Sequence, residues 1–422
     1  MKHLCICLLL TLGVWHRQAS CQIPDLTTDE QIRLYQSWVA KDLANISGRT
    51  LLAGAYVQKT RETTDLGYLE RASKILDGVL AERQDHEALR LRNIVELTLH
   101  HFPQAAEAAR ALTISWPGDV QSWGTYGDAL LEMGQYDQAR DAFARMLELK
   151  PGLMSYNRMG FYRFVKGDVD RGIDLMQAAV NAAAKFPENK AWCLVELGNM
   201  YFKTGRWAEA KTAYQEAVTN FPASHTAYAG LGSVAAAEGR IDEAVAEYKH
   251  AQAITPMVQY AGALYDLYRA QGKNAEAREQ ADRIDLQAKL EAASNLKANR
   301  TMGLMYANEN RELAKSLDLI QSDFEVRKDI YTWDAMAWVL YKNKRYDEAK
   351  RASEEALKTG APEALFFYHA GMIDDALGDA DSAKKLLKKA LELNAGFDFG
   401  QATVARHTLE RLGNEAHQGG GH

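Results

Sequence analysis

The chain has 422 residues, 47% of them hydrophobic, with a net charge of −6. That is enough apolar side chain for a large core, and it offers no clustered basic face of the kind nucleic-acid binding requires. Only eight prolines occur, and the abundance of Ala, Leu, Glu, Lys and Arg excludes a strand-rich fold and biases the chain towards helix nearly throughout.

Residues 1–21 read as a signal peptide. Lys2 and His3 precede an apolar run from Leu4 to Trp15, and Ala19-Ser20-Cys21 supplies small residues at a cleavage point. The run is too short to span a bilayer, so the expectation is an exported protein, in the periplasm or cell envelope or secreted, with no membrane span. A second reading stays open. Gln18-Ala19-Ser20-Cys21 resembles the bacterial lipoprotein signal and would make Cys21 a lipid anchor, although Gln18 stands where that pattern has Leu. Cys5, Cys7 and Cys21 fall in this segment. Cys193 is the one cysteine outside it, a single cysteine cannot make an internal disulfide, and it reads as a small buried residue in a helix.

Residues 22–49 hold a leading, capping helix near Thr28–Asn45. Residues 50–117 read as two degenerate helical units, 50–85 and 86–117, the first with an inserted loop around Arg61 to Gly67. Regular punctuation then begins. Prolines fall at Pro117, Pro151, Pro187, Pro222 and Pro256, glycines at Gly134, Gly167, Gly205, Gly239 and Gly272. Small residues fall at Ala139, Gly172, Ala210, Ala244, Ala277, Ala314, Ala349 and Ala383. Three series share a period of about 34 residues, the mark of a repeat architecture. Units run through 118–290 and, more loosely, 291–395, where 295–325 keeps little beyond Ala314. A closing helix near Gln401–Leu412 and a disordered tail occupy 396–422.

The unit Ala191 to Pro222 shows the logic. Leu197 and Tyr201 lie four apart on one face of a first helix. Gly198 between them lets a neighbouring helix approach its backbone. Gly205 supplies the left-handed cap after that helix. Ala210, Tyr214 and Ala217 form the inward stripe of the second helix, which Pro222 ends. Val120 to Pro151 and His225 to Pro256 repeat the pattern. These residues resemble the tetratricopeptide repeat. The resemblance implies an all-α, right-handed superhelical solenoid of about ten helix–turn–helix units, capped at both ends. The wording Asp329-Ile330-Tyr331-Thr332-Trp333-Asp334-Ala335, Tyr368-His369-Ala370-Gly371-Met372 and Gly396-Phe397-Asp398 also resembles bacterial exported repeat proteins of unassigned function.

The search for chemistry returns little. His86-Glu87 lacks the second histidine of a zinc-protease helix, and His100-His101 point apart on a helix. Asp374, Asp375, Asp379 and Asp381 lack the offsets of a calcium loop and read as a solvated turn. No phosphate loop or nucleophile elbow is present. The expectation is a non-enzyme without cofactor or metal. The resemblance implies instead a protein or peptide partner in a concave groove lined by five positions of each first helix. Two aromatic clusters occupy those positions. One is Phe161, Phe164, Trp192 and Phe202 with Asn157, Asn199 and Lys203. The other is Tyr331, Trp338, Tyr341 and Tyr368 with Asp334, Lys342 and His369. Such mixtures typify binding hot spots, while packing between neighbouring first helices is the competing role for each residue. A carboxylate clamp of the chaperone-binding kind is excluded, because Asn199 stands at one clamp position but Gly230 stands at its partner position.

Overall fold

The computed structural model describes residues 26–63, 65–183, 187–293 and 300–419. They form 22 helices, with no strand among the described residues, and the chain divides into two compact units, Met1–Glu82 and Arg83–His422. The expected signal peptide, Cys21 and the last three residues lie outside the described residues.

In the first unit, α1 (Thr28–Lys41) packs on α2 (Ile46–Thr63), and α2 on α3 (Leu66–Glu82). A capping box starts α1: the Thr27 hydroxyl accepts from the Glu30 amide while Glu30 accepts from the Thr27 amide. The leading helix is shorter than expected and stops at Lys41, where Asp42 is extended. The inserted loop expected around Arg61–Gly67 is absent as well. Residues 61–63 continue α2, and Asp65 accepts from the Gly67 amide to open α3.

The second unit is a series of helix pairs. They are α4 (His86–Thr98) with α5 (Phe102–Ser115), α6 (Val120–Glu132) with α7 (Tyr136–Leu149), α8 (Leu153–Val165) with α9 (Val169–Ala182), α10 (Pro187–Lys203) with α11 (Trp207–Asn220), and α12 (His225–Ala237) with α13 (Ile241–Ile254). The series continues with α14 (Val258–Ala270) and α15 (Asn274–Ala293), α16 (Arg300–Asn308) and α17 (Leu313–Val326), α18 (Ile330–Lys342) and α19 (Tyr346–Leu357), and α20 (Ala364–Ala376) and α21 (Ala380–Leu393). The last helix, α22 (Gln401–Gly419), runs past its expected end at Leu412. With α2 and α3 this makes the ten expected pairs. Within the second unit, helices pack on their partners and onto neighbouring pairs, as α5 on α6 and α11 on α12, and first helices also meet along the series, as α10 meets α12 and α18 meets α20.

The sequence punctuation acts as its chemistry dictates. Lys150, Phe221 and Thr255, each directly before a proline, are extended, and Trp116 before Pro117 is likewise out of the helical region, because a following proline disfavours helical backbone. Gly134, Gly167, Gly205, Gly239 and Gly272 all take φ between 71° and 80°, and His100, Asn310 and Lys344 hold the same left-handed turn without glycine. Asp85, Asp119, Asp329 and Asp379 cap α4, α6, α18 and α21.

The helical glycines have a different purpose from the one expected. At Gly198 it is an aromatic ring that comes close. Cβ atoms added at Gly198 and Gly230 would each lie 2.5 Å from Tyr214 Cε1, so the buried Tyr214 ring is held between α10 and α12. Phe143 fills the space over Gly127 in the same way, and Tyr248 that over Gly232. Backbones do meet at Gly160 and Gly172, where a Cβ on either glycine would lie 3.0 Å from the carbonyl oxygen of the other. Cys193 is fully buried in α10. The acidic turn is a further correction. Asp374 is 1% exposed, pairs with Lys350 at 2.6 Å and accepts from the Ser382 hydroxyl, while Asp375 pairs with Arg411.

Candidate functional site

The first helices α8, α10, α18 and α20 carry the candidate binding residues, and tertiary packing treats them unequally. Trp192 on α10 is 46% exposed. Phe161, Asn199, Phe202, Lys203, Tyr331 and Tyr341 are half-buried. Phe164, Trp338, Tyr368, Asn157 and Asp334 are buried, which corrects the expectation that they face a partner. Phe164 belongs to the core around Leu194 and Cys193. Asn157 Oδ1 is enclosed and meets no donor among the described residues.

The two expected clusters are organised differently. Asp334 accepts from His369 Nδ1 at 2.9 Å, and His369 Nε2 lies 3.2 Å from Gln401 Oε1. The His369 ring stacks on Trp338 at 4.1 Å between centroids, and Trp338 stacks on Tyr341 at 4.9 Å. The Trp338 indole N–H donates to Asn308 and the Lys342 ammonium lies 4.7 Å from its ring, with burial pushing that lysine's pKa down. Tyr368 lies against Trp338 and Phe397. This cluster ties three successive first helices and α22 together and covers the Trp338, Tyr368 and His369 rings, leaving Tyr341 half-buried.

The other cluster meets a part of the chain far away in sequence. Lys203 donates to Glu363 and to the Tyr331 hydroxyl, which itself donates to Glu363 at 2.7 Å. Burial and the Glu363 carboxylate push the Tyr331 phenol well above its ordinary pKa. Phe161 and Val165 pack with Ile330, Ala361 and Phe366. Asn394 donates to the Phe202 carbonyl at 2.7 Å and accepts from Trp207 Nε1 at 3.0 Å. The Ile330 amide donates to the Tyr136 hydroxyl, and the Lys328 amide to the Glu132 carbonyl, both at 2.9 Å. The partners 136/330, 202/394 and 207/394 lie 194, 192 and 187 residues apart. A nearly constant offset, repeated pair after pair, makes a seam, to which Lys203 adds bridges of 160 residues to Glu363 and 128 to Tyr331. Along it, the turns that follow α6, α8 and α10 rest on the loops that precede α18, α20 and α22.

Glycine permits the approach. Cβ atoms added at Gly134, Gly167 and Gly205 would lie 2.4 Å from the Lys328 carbonyl oxygen, 2.7 Å from that of Gly360 and 2.8 Å from that of Leu393. Gly396 continues the line, since its Cβ would lie 2.5 Å from that of Ala237. A charged group closes one end. Arg327 pairs with Asp323 and Glu132, and its guanidinium lies 4.8 Å from the Phe102 ring. Arg300 pairs with Asp329. Burial, with the Arg327 and Arg300 charges, lowers the nearby His100 to about 4.

Sequence reasoning missed the seam residues Glu132, Tyr136, Trp207, Arg327, Glu363 and Asn394. One signal was visible. Asp329-Ile330-Tyr331, the N-cap and first turn of α18, and Gly396-Phe397-Asp398, in the loop before α22, both lie at the seam. No group of three or more His, Cys, Asp or Glu side chains able to hold a metal occurs among the described residues.

Comparison with known proteins gives a consistent family signal. Models of the tetratricopeptide repeat match residues 94–153 and 195–256, 153–223, and 364–397. The chain is 28% identical over 123 residues to the BBSome complex member BBS4 of Bos taurus, an alignment covering 29% of this chain and 23% of that relative. The type IV pilus biogenesis factor PilW is similar at 17% identity, TM-score 0.41, over 50% of this chain and 94% of that structure. Yeast Tom70 is similar at 13% identity, TM-score 0.38, over 92% and 93%. No described helix is long and apolar enough to cross a membrane.

Proposed function

From the premise that the chain is a tetratricopeptide-repeat protein, we propose that it is a non-catalytic scaffold that binds a peptide or partner protein on its first-helix face, and that it works in the periplasm or cell envelope. Proteins of these repeats typically bind other proteins, and the family matches are repeat models alone. The observation that carries the reading is Trp192. It is a large aromatic at a groove position of α10, 46% exposed, on the same helix as the half-buried Asn199 and Phe202. An accessible tryptophan on a first helix is the residue type most often found as an interface anchor. The apolar run Leu4–Trp15 supports export, and Gln18-Ala19-Ser20-Cys21 supports a lipid tether as the alternative to simple cleavage.

A photo-crosslinking residue placed at 192 in the native cell tests the site. It is expected to capture a discrete protein partner that the same residue at position 404 does not. Equal capture at both positions counts against this face. The mass of the mature N-terminus separates a cleaved start from a lipidated Cys21, and an uncleaved chain removes the export reading.

A further inference from the structure

The seam differs in kind from the packing that builds the helix pairs. Consecutive pairs share a continuous core, such as the one that joins Phe164, Leu194, Tyr214 and Val234 across α8 to α12. The seam is held by polar pins, the Arg327 ion pair with Glu132, one small apolar cluster, Val165, Ile330, Ala356, Ala361 and Phe366, and the Phe399 side chain against Ala235 and Leu267. Its pins are the two backbone amides at 328 and 330, the Asn394 side chain, and the Lys203–Glu363–Tyr331 group. In a stacked-repeat protein each unit draws its stability from its immediate neighbours. No pair in the second unit therefore needs the seam in order to fold.

We infer that the seam is a latch, so that the second unit has a closed state, as in this structure, and an open state in which the same helix pairs stay folded and Phe161, Phe202, Lys203 and Tyr331 are uncovered. Three features carry this. The glycine-turn contacts 134/328, 167/360 and 205/393 recur at nearly one offset, and the Lys203 bridges to Glu363 and Tyr331 join the same edge at shorter ones, so the contacts line a single edge that can part as a whole. Two hydrogen bonds on Asn394 and the ion pair on Lys203 replace contacts that water can also supply, which lowers the cost of release. The three turn glycines whose added Cβ would meet a carbonyl lie on this edge, whereas at Gly239, Gly272 and Gly378 an added Cβ meets nothing within 4 Å. The inference concerns the chain alone and holds whether or not a partner uses Trp192.

The test places asparagine at two sets of turns, since asparagine accepts left-handed backbone. In the full chain, Gly134→Asn, Gly167→Asn and Gly205→Asn together push side chains into the seam. Gly239→Asn, Gly272→Asn and Gly378→Asn together are the control, with the same backbone demand and open space. The seam triple is expected to raise the radius of gyration in small-angle X-ray scattering. It should also speed hydrogen exchange at the Lys328 and Ile330 amides by about tenfold or more, with helical circular dichroism retained. The control should leave all three as in the parent. Asn394→Ala, which removes two pins and adds no bulk, should shift the same readouts in the same direction and by less. Retained helicity with unchanged dimensions and exchange overturns the latch. So does cooperative loss of helix in both the seam triple and Asn394→Ala, because the seam would then be part of a single all-or-none fold.

Discussion

The turns after α6 and after α14 are alike in every local respect. Each has a glycine at φ near 70°, Gly134 at 72° and Gly272 at 71°. Each follows a first helix of thirteen residues and leads into a second helix with a buried alanine, Ala139 or Ala277, at the same place. They differ in what lies outside the pair. Gly134 has the Lys328 carbonyl against its Cα, while Gly272 faces open space. The 34-residue pattern therefore specifies a pair and its turn, and the position of the pair in the stack decides whether that turn is also an interface. Function built on such an array follows from position as much as from motif.

Alanine at the two turns makes the sharpest contrast. Both substitutions meet the left-handed penalty of about 1–2 kcal/mol. Only Gly134→Ala also drives a methyl group into a carbonyl, a further ~1–3 kcal/mol if the seam stays shut. Thermal or denaturant unfolding should therefore show Gly134→Ala as the costlier change by at least about 1 kcal/mol, or should show the penalty released as faster exchange at Lys328. Equal costs with an unchanged seam would erase the distinction between the two turns.

Overpacking within the stack should behave differently again. Ala244 on α13 is fully buried beside Ala235 and Leu267. Ala244→Leu should cost roughly 1–3 kcal/mol, with no added exchange at the Lys328 and Ile330 amides. An unchanged melting temperature would contradict the close helix contact, and seam opening would show that stack and seam are not separable.

The pairs were legible in the sequence because each rests on chemistry inside one unit. Proline ends a helix, glycine turns it, and Ala210, Tyr214 and Ala217 give the second helix its inward stripe of small and large residues. The candidate face was legible only as far as residue type. Trp338, Tyr368 and Asp334 stand at groove positions, yet their own neighbours cover them, since His369 and Phe397 arrive from the next pairs. The seam was beyond reach. Its 190-residue offset is the accumulated rotation of about six pairs, and small rotations at each step add up in a way no local pattern records. Gly396-Phe397-Asp398, part of the resemblance to bacterial exported repeat proteins, is nonetheless the segment that lies beside Ala237 and Trp207.

Acidity offers a gentler probe of the same edge. Burial and the Asp329 carboxylate raise Glu132 to about 7, against the opposing charges of Arg327 and Arg300. A raised carboxyl holds its proton more tightly in the folded state. Its contribution is thus full below about pH 4.5 and is lost as pH climbs through about 7. Stability of the parent should decline across that window. Glu132→Gln, which keeps an oxygen for Arg327, should flatten the decline and gain on the order of 1 kcal/mol at pH 8 relative to pH 5. Asp266, also raised to about 7 by burial, Asp398 and Glu309, leaves a residual slope in both proteins. A Glu132→Gln profile parallel to the parent's would place the pH response wholly elsewhere.

The smallest effect tests the turn that breaks the glycine rule. Lys344 follows α18 at φ 60° with its side chain exposed, so a non-glycine residue carries the left-handed penalty of about 1–2 kcal/mol without a compensating contact in the structure. Lys344→Gly removes that penalty and adds back the extra backbone freedom of glycine in the unfolded chain, worth about 0.5–1 kcal/mol. The net gain should be about 0.5–1 kcal/mol, read as a small rise in unfolding midpoint with the seam amides unaffected. A loss instead would mean that the Lys344 stem steadies the turn by covering its neighbours. The free turns would then be set by side-chain packing as well as by backbone, and Gly272 would cease to be a neutral reference for Gly134.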